Sequence, residues 1–142
     1  MAIRYETDRP LPLEQVLDLY RELGWFAQHL PERVQRAHAN SQRIVSAWEG
    51  ERLLGWARII TDGEFCLFLH EILLRPDYQR KGIGTELMRR VLEGYEHVQN
   101  TVLLADPGNE VFYAPFGFQV VTPEMGFQAM YKMSPTWGRL PS

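Results

Sequence analysis

Two ionisable residues, His70 and Glu71, stand inside an otherwise apolar run, LFLHEILL at 67–74. Burying a polar group without a partner costs about 2–7 kcal/mol, so the pair needs either compensation or a function. Histidine, with an ordinary pKa of about 6.5, is suited to proton transfer near neutral pH. The pair is therefore a candidate for general-base chemistry, and a satisfied buried histidine with a structural ion pair is the alternative.

The spacing of this pair restricts what it can do. Successive residues of a strand face opposite ways. His70 and Glu71 can therefore face one cleft only if a β-bulge intervenes.

A glycine-bearing turn, QRKGIGT at 79–85, follows this run and opens an amphipathic helix. Helix N-termini present unpaired N–H groups and partial positive charge. Gly82 and Gly84 allow close approach of the backbone, and Arg80 and Lys81 add charge. The turn predicts a phosphate or pyrophosphate site. It matches neither the Walker A nor the dinucleotide pattern, and a plain strand–helix connection is the alternative.

The turn and a second segment, NEVFYAPFGF at 109–118, resemble the GNAT superfamily of N-acetyltransferases. The shared features are Gln79-x-x-Gly82-x-Gly84 after a buried strand and the later FY-x-x-x-GF. A hairpin, a central strand, the glycine turn, a helix, a strand and FY-x-x-x-GF follow one another through most of residues 42–133, and this ordered set looks most like the bacterial and plant serotonin-acetyltransferase-like group. The resemblance implies acetyl transfer from acetyl-CoA, as cosubstrate, to a primary amine, without a metal.

The resemblance also implies which residues bind acetyl-CoA. Its pyrophosphate would bind the turn, namely Gln79, Arg80, Lys81, Gly82, Ile83, Gly84 and Thr85. Its pantetheine arm would lie along Ile72, Leu73 and Leu74. Three later residues complete this set: Asn109, Phe112 and Tyr113. Asn109 could equally be a helix cap, and Phe112 could equally belong to an aromatic cluster with Phe116 and Phe118.

Tyr113 matches a tyrosine that the family places near the thioester sulfur as a general acid. A free tyrosine has a pKa of about 10 and a thiol one of about 8.5, so this proton transfer is uphill by about 2 kcal/mol. Either the site lowers the pKa of Tyr113, or CoA leaves partly as the thiolate.

The resemblance matches both candidate bases. His70 matches a histidine of animal arylalkylamine acetyltransferases, and Glu71 matches an acidic position of plant-type and amino-sugar acetyltransferases. We rank His70 first, with Glu71 as runner-up or orienting partner. The expected mechanism is direct attack of the amine on the thioester, with backbone N–H near Leu74 polarising the carbonyl. Cys66 is expected to be a small buried hydrophobe without an activating neighbour.

Residues of the acceptor pocket are suggested by position. Trp25, Phe26 and His29 lie between the first two predicted helices and favour an aryl or apolar amine, with core packing or a homodimer contact as alternatives. Asp106 could attract a cationic amine or form the turn before Pro107. Two other functions fit the same residues: acetylation of protein lysines or N-termini, and a non-catalytic acyl-CoA-binding or sensing module.

The elements that position these residues follow from periodicity. We predict a strand at 2–7, a helix ending at Gly24, a helix from Pro31 and a hairpin turning at Glu49-Gly50. A buried strand at 65–74, a helix from Gly82 and the strand TVLLAD come next, and then a brief helix at NEVFYAP and strands near FQVV and FQAMYKM. The fold class is α/β (α+β), of GNAT type: a mixed, mostly antiparallel sheet of six to seven strands with a central parallel pair and about four helices.

Composition restricts the broad class. The 142 residues suit one domain, 1–142, and the net charge of −3 argues against a general nucleic-acid binder. No apolar run reaches the ~18 residues of a membrane-spanning helix, and the first ten residues lack a secretory pattern. One cysteine suits a reducing compartment, so a cytoplasmic location is expected. The four histidines, His29, His38, His70 and His97, show no metal-ligand spacing.

Overall fold

The computed structural model describes residues 2–140. Contacts divide the chain into two units, Met1–Leu103, called here the sheet unit, and Leu104–Ser142, called here the C-terminal unit. Within the described residues, no helix has the length and apolar character needed to cross a bilayer.

The sheet unit contains one five-stranded sheet. Its strands are β1 (Arg4–Thr7), β2 (Arg43–Glu49), β3 (Arg52–Thr61), β4 (Cys66–Leu74) and β5 (Asn100–Leu103). They lie side by side in chain order, with antiparallel pairing except between β4 and β5, which are parallel. This confirms the predicted mixed sheet, the hairpin and the parallel pair, with β4 as an interior strand.

Helices connect these strands at the places predicted. α1 (Leu13–Glu22) ends just before Gly24, α2 begins at its proline (Pro31–Ala39), and α3 (Ile83–Leu92) begins directly after Gly82. A 3-10 turn, Phe26–His29, joins α1 to α2, and a second, Pro76–Tyr78, follows β4. Proline at a first helical position and glycine after the end suit these boundaries because of their restricted and permissive backbones.

The main core of the sheet unit lies between the sheet and the first two helices. α1 and α2 contribute apolar residues at helical spacing, and the strands contribute two tryptophans and two leucines. The cluster is Val16, Leu19, Tyr20, Val34, Trp48, Leu53, Trp56 and Leu73. α3 packs against β2, β3 and β4 through Ile83, Leu87, Met88 and Val91. The core therefore holds β4 and α1 in contact, and both carry residues of the candidate site.

The C-terminal unit corrects one part of the predicted fold. Its described residues form α4 (Glu110–Tyr113) and 3-10 turns at Ala114–Phe116 and Pro123–Met125, and the strands predicted near FQVV and FQAMYKM are absent. The sheet consequently has five strands rather than six to seven. Strand propensity depends on packing against neighbours, and most side chains in these segments remain exposed, with Met130 at 92%.

Candidate active site

A β-bulge at His70 interrupts the alternation of β4. Arg58 of β3 pairs with Glu71, whereas Ile59 pairs with Leu69, so His70 is an extra residue in the ladder. Both members of the His-Glu pair consequently reach one guanidinium. Arg58 Nη2 lies 2.7 Å from His70 Nδ1, and Arg58 Nε donates to Glu71 Oε1 at 2.9 Å. The bulge thus supplies the condition under which the two residues can share a cleft.

Glu71 is 6% exposed and surrounded by donors. Tyr20 Oη lies 2.9 Å from each carboxylate oxygen, and Trp56 Nε1 donates to Oε1 at 3.1 Å. His38 Nε2 lies 3.5 Å from the same oxygen. Burial alone would raise the pKa of Glu71, but the hydrogen bond from His38, the charge and hydrogen bond of Arg58 and the bond from Trp56 lower it to about 2. A carboxylate so stabilised is a weak proton acceptor.

His70 has a different environment although it is the adjacent residue. Its side chain is exposed, and its ring contacts Phe68 edge to face at 5.7 Å. Partial desolvation, and then the charge of Arg58, lower the pKa of His70 below its ordinary 6.5. A guanidinium only donates, so Nδ1 accepts from Arg58 and the proton of the neutral ring is on Nε2. His70 is therefore neutral at pH 7.

Four partners of this site were not identified in the sequence: Tyr20, His38, Trp56 and Arg58. The pattern that could have revealed Arg58 is a charged residue, 5% exposed, within the continuously buried β3. A buried charge requires a counter-charge, and Glu71 in the next strand supplies it. Tyr20 and His38 lie on the inner faces of α1 and α2, where they look like ordinary amphipathic-helix residues.

The aromatic segment between α1 and α2 is linked to this site through Tyr20. Trp25, 39% exposed, stacks on the Tyr20 ring at 5.7 Å, and Tyr20 donates to Glu71. Phe26 and His29 contact each other edge to face at 5.6 Å. Of the four predicted acceptor residues, Trp25 is thus separated from the buried carboxylate by Tyr20, and Asp106 belongs to the C-terminal unit.

The last residues of β4 are paired with a strand on one side only within the sheet unit. Ile72, Leu73 and Leu74 pair with β3, whereas β5 pairs only with residues 66–69. The carbonyl of Leu74 accepts from the side chain of Gln79 at 3.2 Å. An extended chain could bind along such an edge by main-chain hydrogen bonds, as the predicted pantetheine site requires.

The glycine turn leaves the sheet and enters α3 with two residues at positive φ. Arg80 has φ +64° and Gly82, the N-cap residue of α3, has φ +82°. A Cβ built on Gly82 meets no atom within 4 Å, and Gln79, Arg80 and Lys81 are exposed. The N–H groups of Ile83, Gly84 and Thr85 belong to the first turn of the helix, where such groups can bind an anion.

The remaining predicted residues belong to the C-terminal unit. Tyr113 contacts Phe112 at 5.0 Å and Phe118 at 6.1 Å between ring centroids, in a partly exposed aromatic group. Desolvation, and then the charge of Asp106, raise the pKa of Tyr113. This contradicts the alternative that its site lowers that pKa. Asn109 precedes α4 but makes no side-chain capping bond, which contradicts a capping role for its side chain.

Two further expectations concern cysteine and metal sites. Cys66 is exposed at the start of β4, so the expected burial is wrong. It lies beside the turn where Asp62 accepts from the amides of residues 64–66, outside the core. Over residues 2–140 no group of three or more His, Cys, Asp or Glu side chains could hold a metal ion.

Known proteins agree with this architecture. The Acetyltransferase (GNAT) family profile matches residues 11–118. A ycf52-like N-acetyltransferase of Prochlorococcus marinus is 33% identical over an alignment of 116 residues that covers 78% of this chain and 64% of that protein. The chain therefore spans slightly less than two thirds of the length of that relative.

Solved structures show the same fold. A GNAT family acetyltransferase from Streptococcus pneumoniae has a TM-score of 0.81 and 26% identity, covering 94% of this chain and 99% of that chain. A GNAT family acetyltransferase from Brucella melitensis, in complex with acetyl-CoA, has a TM-score of 0.63 and 23% identity, covering 84% of each chain. With a family profile that matches three quarters of its residues, the chain belongs to the GNAT family of acetyltransferases.

Proposed function

We propose that the protein transfers the acetyl group of acetyl-CoA to a primary amine by direct attack of the amine on the thioester. The observation that carries this proposal is the bulge at His70. It gathers a neutral histidine and a paired buried charge on the strand whose free edge leads to the glycine turn. Family membership supports acetyl-CoA as the donor.

The reaction forms a C–N bond and breaks the C–S bond of the thioester. The amine must be neutral to attack, and an alkylamine has a pKa of about 10.4, so a proton must be removed. In the proposal, backbone N–H near Leu74 stabilises the carbonyl oxygen as negative charge develops on it. The free edge of β4 beyond Leu69 supports this assignment.

We assign the role of general base, which removes the proton from the amine, to His70 rather than to Glu71. Glu71, with a pKa of about 2 and its oxygens bonded to Tyr20, Trp56 and Arg58, has little affinity for a proton at neutral pH. His70 is neutral and exposed. It would take up the proton at Nδ1 once the contact with Arg58 Nη2 opens, while Arg58 keeps its bonds to Glu71 and Ser41.

Tyr113 is proposed to assist the leaving group without transferring its proton completely. Its raised pKa makes full transfer to a thiolate less favourable than for a free tyrosine. Of the two alternatives, departure of CoA partly as thiolate, accepting a hydrogen bond from the phenol, is therefore preferred.

The acceptor is proposed to be a small amine with an aryl or apolar group. The exposed Trp25 ring, stacked on Tyr20, supports this because it offers an aromatic surface next to the Glu71 site. A cytoplasmic location and a homodimer stay predictions.

Release of free thiol from acetyl-CoA tests the proposal. The panel should contain arylalkylamines, aliphatic diamines, and peptides with a free lysine or N-terminus. We expect turnover with arylalkylamines. The same turnover is expected in His97→Gln, a control in which the substituted histidine is exposed, lies outside the candidate site and is bonded to the carbonyl of Gly63. CoA binding without turnover on any acceptor would contradict the proposal in favour of a sensing module. Turnover on peptides alone would contradict the small-molecule assignment.

A further inference from the structure

The junction between β4 and the glycine turn is occupied by a buried arginine. Arg75 follows the last residue of β4 and precedes Pro76, and its side chain is 4% exposed. A guanidinium at such a position must be compensated fully, since an unpaired buried charge is strongly destabilising.

The compensation comes from one helix and one strand. Arg75 Nη1 donates to Asp18 Oδ2 at 2.9 Å and to Glu22 Oε1 at 2.8 Å, both on α1. Its Nε donates to the carbonyl of Leu53 in β3 at 2.7 Å. The hydrogen bond from Arg75 is the main cause that lowers the pKa of Asp18. Arg75 therefore ties the exit of β4 to α1 and β3.

The backbone of Arg75 is held as firmly as its side chain. Its N–H donates to the carbonyl of Leu54 at 2.8 Å, and its carbonyl accepts from the N–H of Tyr78 at 2.9 Å. Tyr78 is in turn bonded through Oη to Glu49 at 2.7 Å. The chain thus leaves the sheet in a fixed direction before it reaches the positive-φ residues Arg80 and Gly82.

The same helix also reaches the buried carboxylate of the candidate site. Tyr20 of α1 donates to Glu71, while Asp18 and Glu22 of α1 bind Arg75. α1 therefore contacts β4 at two points, one at the bulge and one at the entrance to the glycine turn.

We propose that Arg75 is a positioning residue for the acetyl-CoA turn, and that α1 is the element that aligns this turn with the His70–Glu71 site. The inference rests on the proposed function in that it takes the turn to be the CoA site. Nothing in the turn motif itself includes Arg75, whose role comes from its contacts with α1.

CoA binding by the full chain, measured by isothermal titration, tests this inference without requiring turnover. In Arg75→Gln the dissociation constant for CoA should rise about tenfold or more, because a small displacement of a positioned backbone weakens every contact it makes. Arg75→Lys, which keeps the charge near Asp18 and Glu22, should recover part of the loss. The matched control is Arg21→Gln, since Arg21 is exposed and bonds the other oxygen of Asp18; its CoA affinity should equal that of the parent protein.

Melting temperatures separate positioning from general stability. A folded Arg75→Gln variant with a lowered melting temperature and unchanged CoA affinity would overturn the inference. If Arg75→Gln does not fold, Glu22→Gln, which removes one partly exposed partner, should still raise the dissociation constant about threefold, and an unchanged value would overturn the inference. A parent protein that binds CoA but transfers no acetyl group contradicts the proposed function alone.

Discussion

At the β4 bulge the candidate groups are side chains, the exposed His70 beside the buried and paired Glu71, whereas in the glycine turn they are backbone amides flanked by exposed side chains. Tyr20, Trp56 and Arg58 surround the buried carboxylate of Glu71. In the turn, Gly82 adopts φ +82° with open space where a Cβ would be.

These two regions keep their geometry by different means. A buried charged group is held by mutual compensation, so removing one member costs folding free energy. A turn is held by the dihedral angles that its residues allow, so an altered residue there changes binding more than folding. Substitutions at the bulge should therefore lower mainly the free energy of unfolding, whereas substitutions in the turn should lower mainly the affinity for CoA.

The largest effect is expected for Glu71→Gln. Without the carboxylate, Arg58 is a buried cation lacking its counter-charge, which costs about 3–5 kcal/mol in the free energy of unfolding. Urea unfolding measures it, with Glu64→Gln, an exposed carboxyl of the sheet unit, as control. A loss no larger than that of the control would contradict the compensated-charge description.

The free energy of unfolding of the parent protein at acidic pH should also depend on Glu71. The pKa of Glu71 falls from an ordinary 4.5 to about 2 on folding. Its contribution to stability is therefore complete above pH 4.5 and is lost as the pH falls towards 2, because the unfolded chain binds the proton first. The difference in unfolding free energy between the parent and Glu71→Gln should shrink over this interval. A difference independent of pH would contradict the lowered pKa.

Gly82→Ala tests the turn. An L-residue in the left-handed region costs about 1–2 kcal/mol, so the turn should shift and the dissociation constant for CoA should rise. Gly94→Ala is a matched control, since Gly94 has φ +86° and equally open surroundings outside the turn. Both variants should lose similar stability, and only Gly82→Ala should lose CoA affinity. Equal affinities in the two variants would show that the turn is not the CoA site.

The smallest effect is expected from the charges of the turn. Arg80→Gln and Lys81→Gln remove exposed cations next to the first turn of α3. Each should weaken CoA binding about threefold at low ionic strength, and the difference should vanish near 1 M salt because exposed charges are screened. A loss that persists at high salt would indicate direct contacts in place of a long-range attraction.

The predictable parts of the fold were those with local causes. The hairpin around Glu49-Gly50, the helix start at Pro31 and the helix after Gly82 follow from turn and capping residues, and all three are present. The bulge at His70 depends on pairing with β3, which local periodicity does not encode. The C-terminal strands predicted near FQVV and FQAMYKM are absent from the described residues, because a strand also needs a neighbour to pair with.

The candidate site divides in the same way. The His-Glu pair and the glycine turn were recognisable because their residue types are unusual for their elements. Arg58, Tyr20 and Arg75, the last in its proposed positioning role, depend on contacts between elements distant in sequence, such as the bond from Tyr20 to Glu71. Their roles became visible only with the packing of α1 on β4 and β3.

The central claim is that His70, and not Glu71, takes the proton of the amine. The most direct test is the pH dependence of kcat for the parent protein and for His70→Gln, with an alkylamine and a weakly basic arylamine compared at saturation. With the alkylamine, we predict an acidic limb in the parent, caused by protonation of His70 in the enzyme–substrate complex, and a loss of about 10²–10⁴-fold in kcat together with that limb in His70→Gln. The arylamine, already neutral, should lose much less. An unchanged rate and an unchanged acidic limb in His70→Gln would contradict the assignment.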